Sequence, residues 1–301
     1  MFKKKSRLFG AAVALSLFVG SFVGTAPASA VEASSCNPNG NIKTFIKCLS
    51  KPKPIKKAKA RTGAPESNVT QSNYTYTVQE YMNYIITDVD KTWSKWFKSA
   101  GLSEPMTGIV MIQPDDPAYT SQCGLVVTTD KANAFYCGDD TVTDANGVTY
   151  QGALILPVIA FQKMWTGDVL DKQSSTAGDF AAAYIIAHEF GHSVQDEIAI
   201  QYYAQTNEQL PAFTRENVEL IADCFAGVWM TSAYYSKLME KGDIDEAIAA
   251  AEAIADEAGV EYKDPHGTAI QRRQALITGY SGIKGKYKAG DPLACVASYW
   301  R

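Results

Sequence analysis

Histidine is scarce in this chain, three residues in 301, so two of them falling in one short motif carries information. No internal repeat is present, which excludes solenoid and propeller arrays. Beyond the first 30 residues no apolar run is long enough to cross a bilayer, and transmembrane helices are not expected there. Positive charge is also short in the main part. Residues 63 to 301 hold sixteen basic and thirty-one acidic residues, a balance that argues against nucleic acid as a partner.

The N-terminus has what the rest lacks. Lys3, Lys4, Lys5 and Arg7 precede an apolar stretch from Leu8 to Val23, and Ala28-Ser29-Ala30 supplies an A-x-A cleavage pattern. Residues 1–30 therefore read as a secretory signal peptide, with the mature chain starting near Val31 outside the cytoplasm. An uncleaved anchor fits less well, because the stretch is broken by Gly and Ser and is shorter than about 20 residues. A lipid-modified Cys36 lacks the preferred aliphatic residue in Ala33-Ser34-Ser35. Residues 31 to 62 carry eight basic residues and one acidic, including Lys51-Pro52-Lys53-Pro54. Residues 31–73 are expected to be a flexible linker or a propeptide, and residues 43–61 to associate electrostatically with anionic cell-wall polymers.

Six cysteines fit an oxidising compartment. Six allow fifteen connectivities. Spacing favours Cys36 with Cys48 and Cys123 with Cys137 across a hairpin, leaving Cys224 with Cys295. Cys224 as a metal ligand fits less well, since adjacent helical residues point about 100° apart and its neighbour Asp223 has a better use.

The central motif is Ala187-His188-Glu189-Phe190-Gly191-His192. Four residues carry a helix roughly once around, so His188 and His192 emerge on one face and can grip one metal ion, with Glu189 beside them as a general base. Catalytic zinc normally takes three protein ligands. Glu219-Leu220-Ile221-Ala222-Asp223 repeats the i, i+4 spacing on a second helix. Glu219 is the expected third ligand and Asp223 the residue that orients a metal histidine; Asp223 as the ligand is the rival assignment. His266 lies before Thr268-Ala269-Ile270-Gln271, a capping box at a helix start. It is a solvated loop residue, an oxyanion donor, or a ligand in place of Glu219.

Three blocks together carry a resemblance: Gly178-Asp179-Phe180-Ala181 leading into Ala183 to His192, Glu219 to Trp229, and His266-Gly267-Thr268 with Gln271-Arg272. Cys123-Gly124 and Phe135-Tyr136-Cys137 add to it. In these the chain resembles the neutral zinc metallopeptidase family of bacteria, over about Tyr81 to Cys295. The resemblance implies a zincin-like fold, one zinc ion on His188, His192 and the glutamate helix, and peptidase activity. Ser193 and Pro157 stand where that family usually has histidine and aspartate. Asp144-Ala145-Asn146-Gly147 is an insertion that reads as a hairpin turn before the strand at 153–158, in a region where zincins lay an extended peptide along a strand edge. Substrate preference is therefore not carried over.

The fold expected for 74–301 is α+β: a small mixed sheet, the active-site helix, then a mainly helical C-terminal half. A helix is expected at Val78 to Ala100, with Tyr81, Ile85, Trp93, Trp96 and Phe97 in the core. Strands are expected at Gly108 to Ile112, Gly124 to Thr128 and Ala153 to Val158. A helix at Asp243 to Glu257 is expected to open on an Asp-x-x-Glu cap and stop at Gly259. The activity expected is hydrolysis of peptide or protein substrates, with His266 or a tyrosine such as Tyr203 steadying the oxyanion. The competing readings are a zinc-stabilised binding module without turnover and a zinc-dependent cell-wall amidase.

Overall fold

The computed structural model describes residues 74–129, 133–169, 172–173, 178–207, 209–210, 214–257, 260, 262 and 265–300. The stretches expected to be a signal peptide (1–30) and a basic linker or propeptide (31–73), with Cys36, Cys48 and Gly259, lie outside the described residues.

Helix α1 (Tyr74–Ala100) buries Val78, Met82, Ile85, Val89, Trp93, Trp96 and Phe97 at the spacing of a single apolar stripe. It ends where Gly101, at φ 70°, lets its own N–H reach the Lys98 carbonyl and the Leu102 N–H reach the Phe97 carbonyl. That is a Schellman stop, which glycine makes without a Cβ clash.

The main sheet has the order β1 (Gly108–Ile112), β5 (Thr149–Pro157), β4 (Phe135–Thr143), with β1 parallel and β4 antiparallel to the central β5. Its faces alternate. Tyr136, Leu154 and Leu156 join the helical core, whereas Phe135, Cys137, Ala153 and Ile155 form a second small core on the opposite face. Asp144 closes the β4–β5 turn as expected: its Oδ1 accepts the N–H groups of Asn146 and Val148, and Gly147 sits at φ 80°.

Several strand expectations need correction. Between Gly124 and Thr128 only Val126–Val127 is extended, as β3, paired with β2 (Tyr119–Thr120) in a separate hairpin. Cys123 sits in that hairpin's turn, so the Cys123–Cys137 disulfide staples the hairpin tip to β4 and does not bracket a hairpin of its own. Asp140 reinforces the staple by accepting from Ser121 Oγ and the Gln122 N–H, both at 2.7 Å. The strand expected at 153–158 begins earlier, at Thr149, and gives way at Val158 to helix α2 (Val158–Trp165). It is the central strand. The edge that meets the histidine helix is β4.

After the short strands β6 (Asp168–Val169) and β7 (Lys172–Gln173), the chain is mainly helical. Helix α3 (Asp179–Thr206) is buried on all sides from Phe180 to Gln195, as a helix at the centre of the molecule must be. Helix α4 (Arg215–Tyr235) starts on Thr214, whose hydroxyl accepts the Asn217 N–H. Helix α5 is Asp243–Ala253, α6 Ala269–Ser281 and α7 Pro292–Tyr299. The capping box at Thr268 and Gln271 forms as expected. The cap expected at Asp243 does not: the N-cap is Gly242, Asp243 accepts from the Glu240 N–H, and Glu246 reaches across to the Phe180 N–H of α3. Among the described residues no helix is long and apolar enough to cross a membrane.

Glycine sets how closely the helices approach. A Cβ on Gly191 would lie 2.9 Å from the Ala222 carbonyl oxygen, and one on Gly279 would overlap the Cys224 carbonyl oxygen at 1.8 Å. These contacts press α4 against both α3 and α6, and the Cys224–Cys295 disulfide adds α7.

Candidate metal centre

Helix α3 carries His188 and His192 on one face, with ring centroids 4.9 Å apart. Because Gly191 admits the α4 backbone at Ala222, Glu219, one turn before that contact, and Asp223, the residue after it, reach the histidines. Glu219 places Oε2 3.3 Å from His188 Nε2 and Oε1 3.8 Å from His192 Nε2. One donor atom from each of these three residues lies within 4.8 Å of the other two, and all three are buried.

Asp223 faces the other side of the ring. Its Oδ1 accepts from His188 Nδ1 at 2.8 Å, which leaves His188 Nε2 for the side where Glu219 lies. Arg272 of α6 donates Nε and Nη2 to the two Asp223 oxygens at 2.8 and 2.9 Å, and the Tyr184 hydroxyl donates to Asp223 as well. With its oxygens engaged in this way, Asp223 is held as an orienting group, and the rival assignment of Asp223 as ligand loses its geometric basis. His192 Nδ1 lies 3.1 Å from the Gln195 amide, which also donates to the Val218 carbonyl.

Charge follows from this packing. Burial opposes a charge on His188, but Asp223 and Glu219 outweigh it and lift the imidazole to about 10. His192 is pushed down by burial to about 4. Burial also opposes ionised Glu219 and Asp223, yet the histidines and Arg272 hold both below the usual carboxylate range. Glu189 is raised by burial to about 7, against the pull of His188 and of the Tyr136 N–H, which donates to Glu189 Oε2 at 2.9 Å. Two imidazoles and an ionised carboxylate form a donor set that suits zinc once His188 gives up its proton.

His266 stands outside the three-residue cluster. It lies on the loop before α6, where Asp256 accepts from its main-chain N–H at 2.7 Å and lies 3.3 Å from its Nδ1. The ligand alternative for His266 therefore has no support. Next to it, Gly267 at φ 93° packs near Leu220, the residue after Glu219, so the loop lies over the start of α4. Tyr203 is half exposed and eleven residues beyond His192 on the same helix, roughly 16 Å along its axis, and is not brought to the site.

Four residues in and around the site were given no role from sequence, although Gly191, Tyr184 and Arg272 stand in the blocks that carry the family resemblance. Gly191 had a signal, since glycine inside a helix costs about 1 kcal/mol against alanine and must be repaid by close packing. Tyr184 lies four residues before His188, on its face. Asp256 and Arg272 come from other elements, with no spacing to mark them. A second carboxylate group, Asp179, Asp243 and Glu246, converges at the starts of α3 and α5, but it contains no imidazole, and two of its members receive main-chain N–H groups.

The chain has relatives among known proteins. The chain is 29% identical to the uncharacterized protein YpfJ of Escherichia coli K12 over 229 residues, covering 72% of this chain and 70% of that protein. It is 33% identical to the uncharacterized protein Rv2575 of Mycobacterium tuberculosis H37Rv over 139 residues, covering 40% of this chain and 45% of that one. No solved structure gives a significant match. Residues 48–295 match the family described as "Putative neutral zinc metallopeptidase", and the chain belongs to that family.

Proposed function

We propose that this chain is a secreted, zinc-dependent peptidase of zincin-like fold. The observation that carries the reading is the convergence of His188, His192 and Glu219, with Glu189 buried beside them and tethered to an edge strand. His188, His192 and Glu219 would hold zinc, which when bound would supply a Lewis acid for the scissile carbonyl and for water. Glu189 takes the proton of the attacking water and passes it to the departing amine; a carboxyl near 7 can do both at neutral pH. Oε2 is engaged by the Tyr136 N–H, so Oε1 is the oxygen that carries the proton. His266, oriented through Nδ1 by Asp256, steadies the oxyanion from its Nε2. Two disulfides accord with an extracellular location.

Glu189→Gln is expected to keep zinc and lower kcat by about 10²–10⁴-fold. Turnover retained in that variant with zinc bound would remove the general-base role. Purified protein incubated with a peptide library and with peptidoglycan fragments, with and without chelator, separates the readings. Chelator-sensitive peptide cleavage supports the peptidase, and cleavage of the fragments alone supports an amidase. Zinc binding without turnover on either leaves the non-catalytic module.

A further inference from the structure

One residue of the edge strand grips the histidine helix twice. Glu189, Ser193 and Asp196 follow one another along α3 at i, i+4 and i+7, a single face of the helix. All three meet Tyr136 of β4. The main-chain N–H of Tyr136 donates to Glu189 Oε2 at 2.9 Å, and its phenol lies farther along the same face beside Asp196 and Ser193: a Cβ on Gly138 would be 3.7 Å from the hydroxyl and 2.8 Å from Asp196 Oδ2.

The phenol has a built socket. It rests over Gly152 of the central strand, where a Cβ would lie 2.4 Å from the hydroxyl, and Gly152 holds φ 84°. A Cβ on Gly138, two residues along β4, would lie 2.8 Å from Asp196 Oδ2, so that glycine also clears the approach. Ser193 is bonded in turn to Thr107, just ahead of β1. Tyr136 is buried, with only 6% of its surface exposed. A tyrosine packed for bulk alone would not need glycines at both Gly152 and Gly138 to admit its hydroxyl beside a buried carboxylate.

We propose that Tyr136 is a positioning residue: the clasp of its hydroxyl by Ser193 and Asp196 fixes β4 against α3, and so holds its main-chain N–H where it orients the Glu189 carboxylate. The catalytic consequence rests on the reading of Glu189 as general base; the clasp does not. With the hydroxyl removed, β4 is freer to slide along α3, and Glu189 samples orientations in which its proton-carrying oxygen is misaimed. Misplacement on that scale costs rate, with little effect on substrate affinity or metal binding.

The test uses the mature protein and two variants. Tyr136→Phe keeps the ring in its socket, and the double change Ser193→Ala with Asp196→Ala removes the partners from the helix side. Hydrogen exchange read residue by residue is expected to show the residue-136 amide exchanging about 10-fold faster in both, while Leu154 and Ile155 in the central strand keep their protection. In zinc-loaded enzyme, kcat is expected to fall about 10-fold, with KM and zinc occupancy unchanged. Combining all three changes should give no further loss, as expected of one interaction removed from either side. An unchanged residue-136 amide overturns the clasp, and a faster amide with unaltered kcat overturns the positioning role. If wild-type protein with zinc hydrolyses nothing, the peptidase reading fails, and the exchange rates alone decide the clasp.

Discussion

Arg272 donates to both oxygens of an aspartate that has no exposed surface, so neither charge has solvent to turn to if the other is lost. Breaking a buried pair from one side costs about 3–5 kcal/mol, because the remaining charge is stranded. Arg272→Met is therefore expected to destabilise the fold by that order. It should also weaken zinc binding by about 10–100-fold, since Asp223 would no longer be held at His188 Nδ1. Chelator competition measures the second effect separately from thermal unfolding, and an unchanged zinc affinity would show that Asp223 needs no partner. Residues of this kind mark the boundary of what sequence discloses. His188, His192, Glu219 and Asp223 were legible because helical periodicity turns a spacing of four into a shared face. Arg272 reaches the site through tertiary packing, 80 positions after His192, and no local spacing encodes that or the pairing of Asp256 with His266.

Between elements, distance is set where the helices touch. Gly191 lies between the two histidines and faces the Ala222 backbone, so Gly191→Ala forces α3 and α4 apart by a few tenths of an ångström at the point that sets the gap from Glu219 to the imidazoles. Alanine's better helix propensity, about 1 kcal/mol, offsets part of the strain. The expected result is a small change in thermal midpoint with a clear loss of zinc affinity, about 10-fold; a stabilised variant with full affinity would mean the contact is slack. The starts of α3 and α5 hold a different balance. Glu246 is raised from 4.5 to about 7, by burial first and by Asp179 and Asp243, against the Phe180 N–H. The folded protein thus keeps a proton there that the unfolded chain has released. Its stabilising effect is full below about 4.5 and lost as pH rises through about 7. Glu246→Gln can still accept the Phe180 N–H and carries no charge. Its thermal midpoint relative to wild type should rise between pH 5 and pH 8, and a pH-independent difference would contradict the shift. The span of α1 was legible from its apolar stripe, but the helix expected at Asp243 to Glu257 ends at Ala253, and the cap at Asp243 was misread because Glu246 had a better donor on another helix. β4 was missed as a strand because Gly138, Asp139 and Asp140 interrupt its apolar alternation where the register with β5 shifts.

At the scale of the whole molecule, the two disulfides among the described residues divide the labour of holding the site. The partners of Cys123 and Cys224 were legible because so few cysteines remain once near neighbours are paired, whereas the geometry they brace was not: sheet order depends on which strand is central, and sequence spacing is silent on that. Cys224 and Cys295 are 71 residues apart and Cys123 and Cys137 only 14, so loop-closure entropy assigns them about 4 and about 3 kcal/mol respectively. Their consequences for the site differ more than these energies do. Cys224 follows Asp223 on α4 and ties it to α7, behind the carboxylate that orients His188. Cys137 follows Tyr136 on β4, the strand that holds Glu189. Replacing Cys224 and Cys295 together by alanine is expected to lower zinc affinity along with stability. Replacing Cys123 and Cys137 should leave zinc bound and reduce turnover. Isothermal titration with zinc beside a peptidase assay distinguishes the two pairs, and equal losses of affinity from both would mean that the staples act only through global stability.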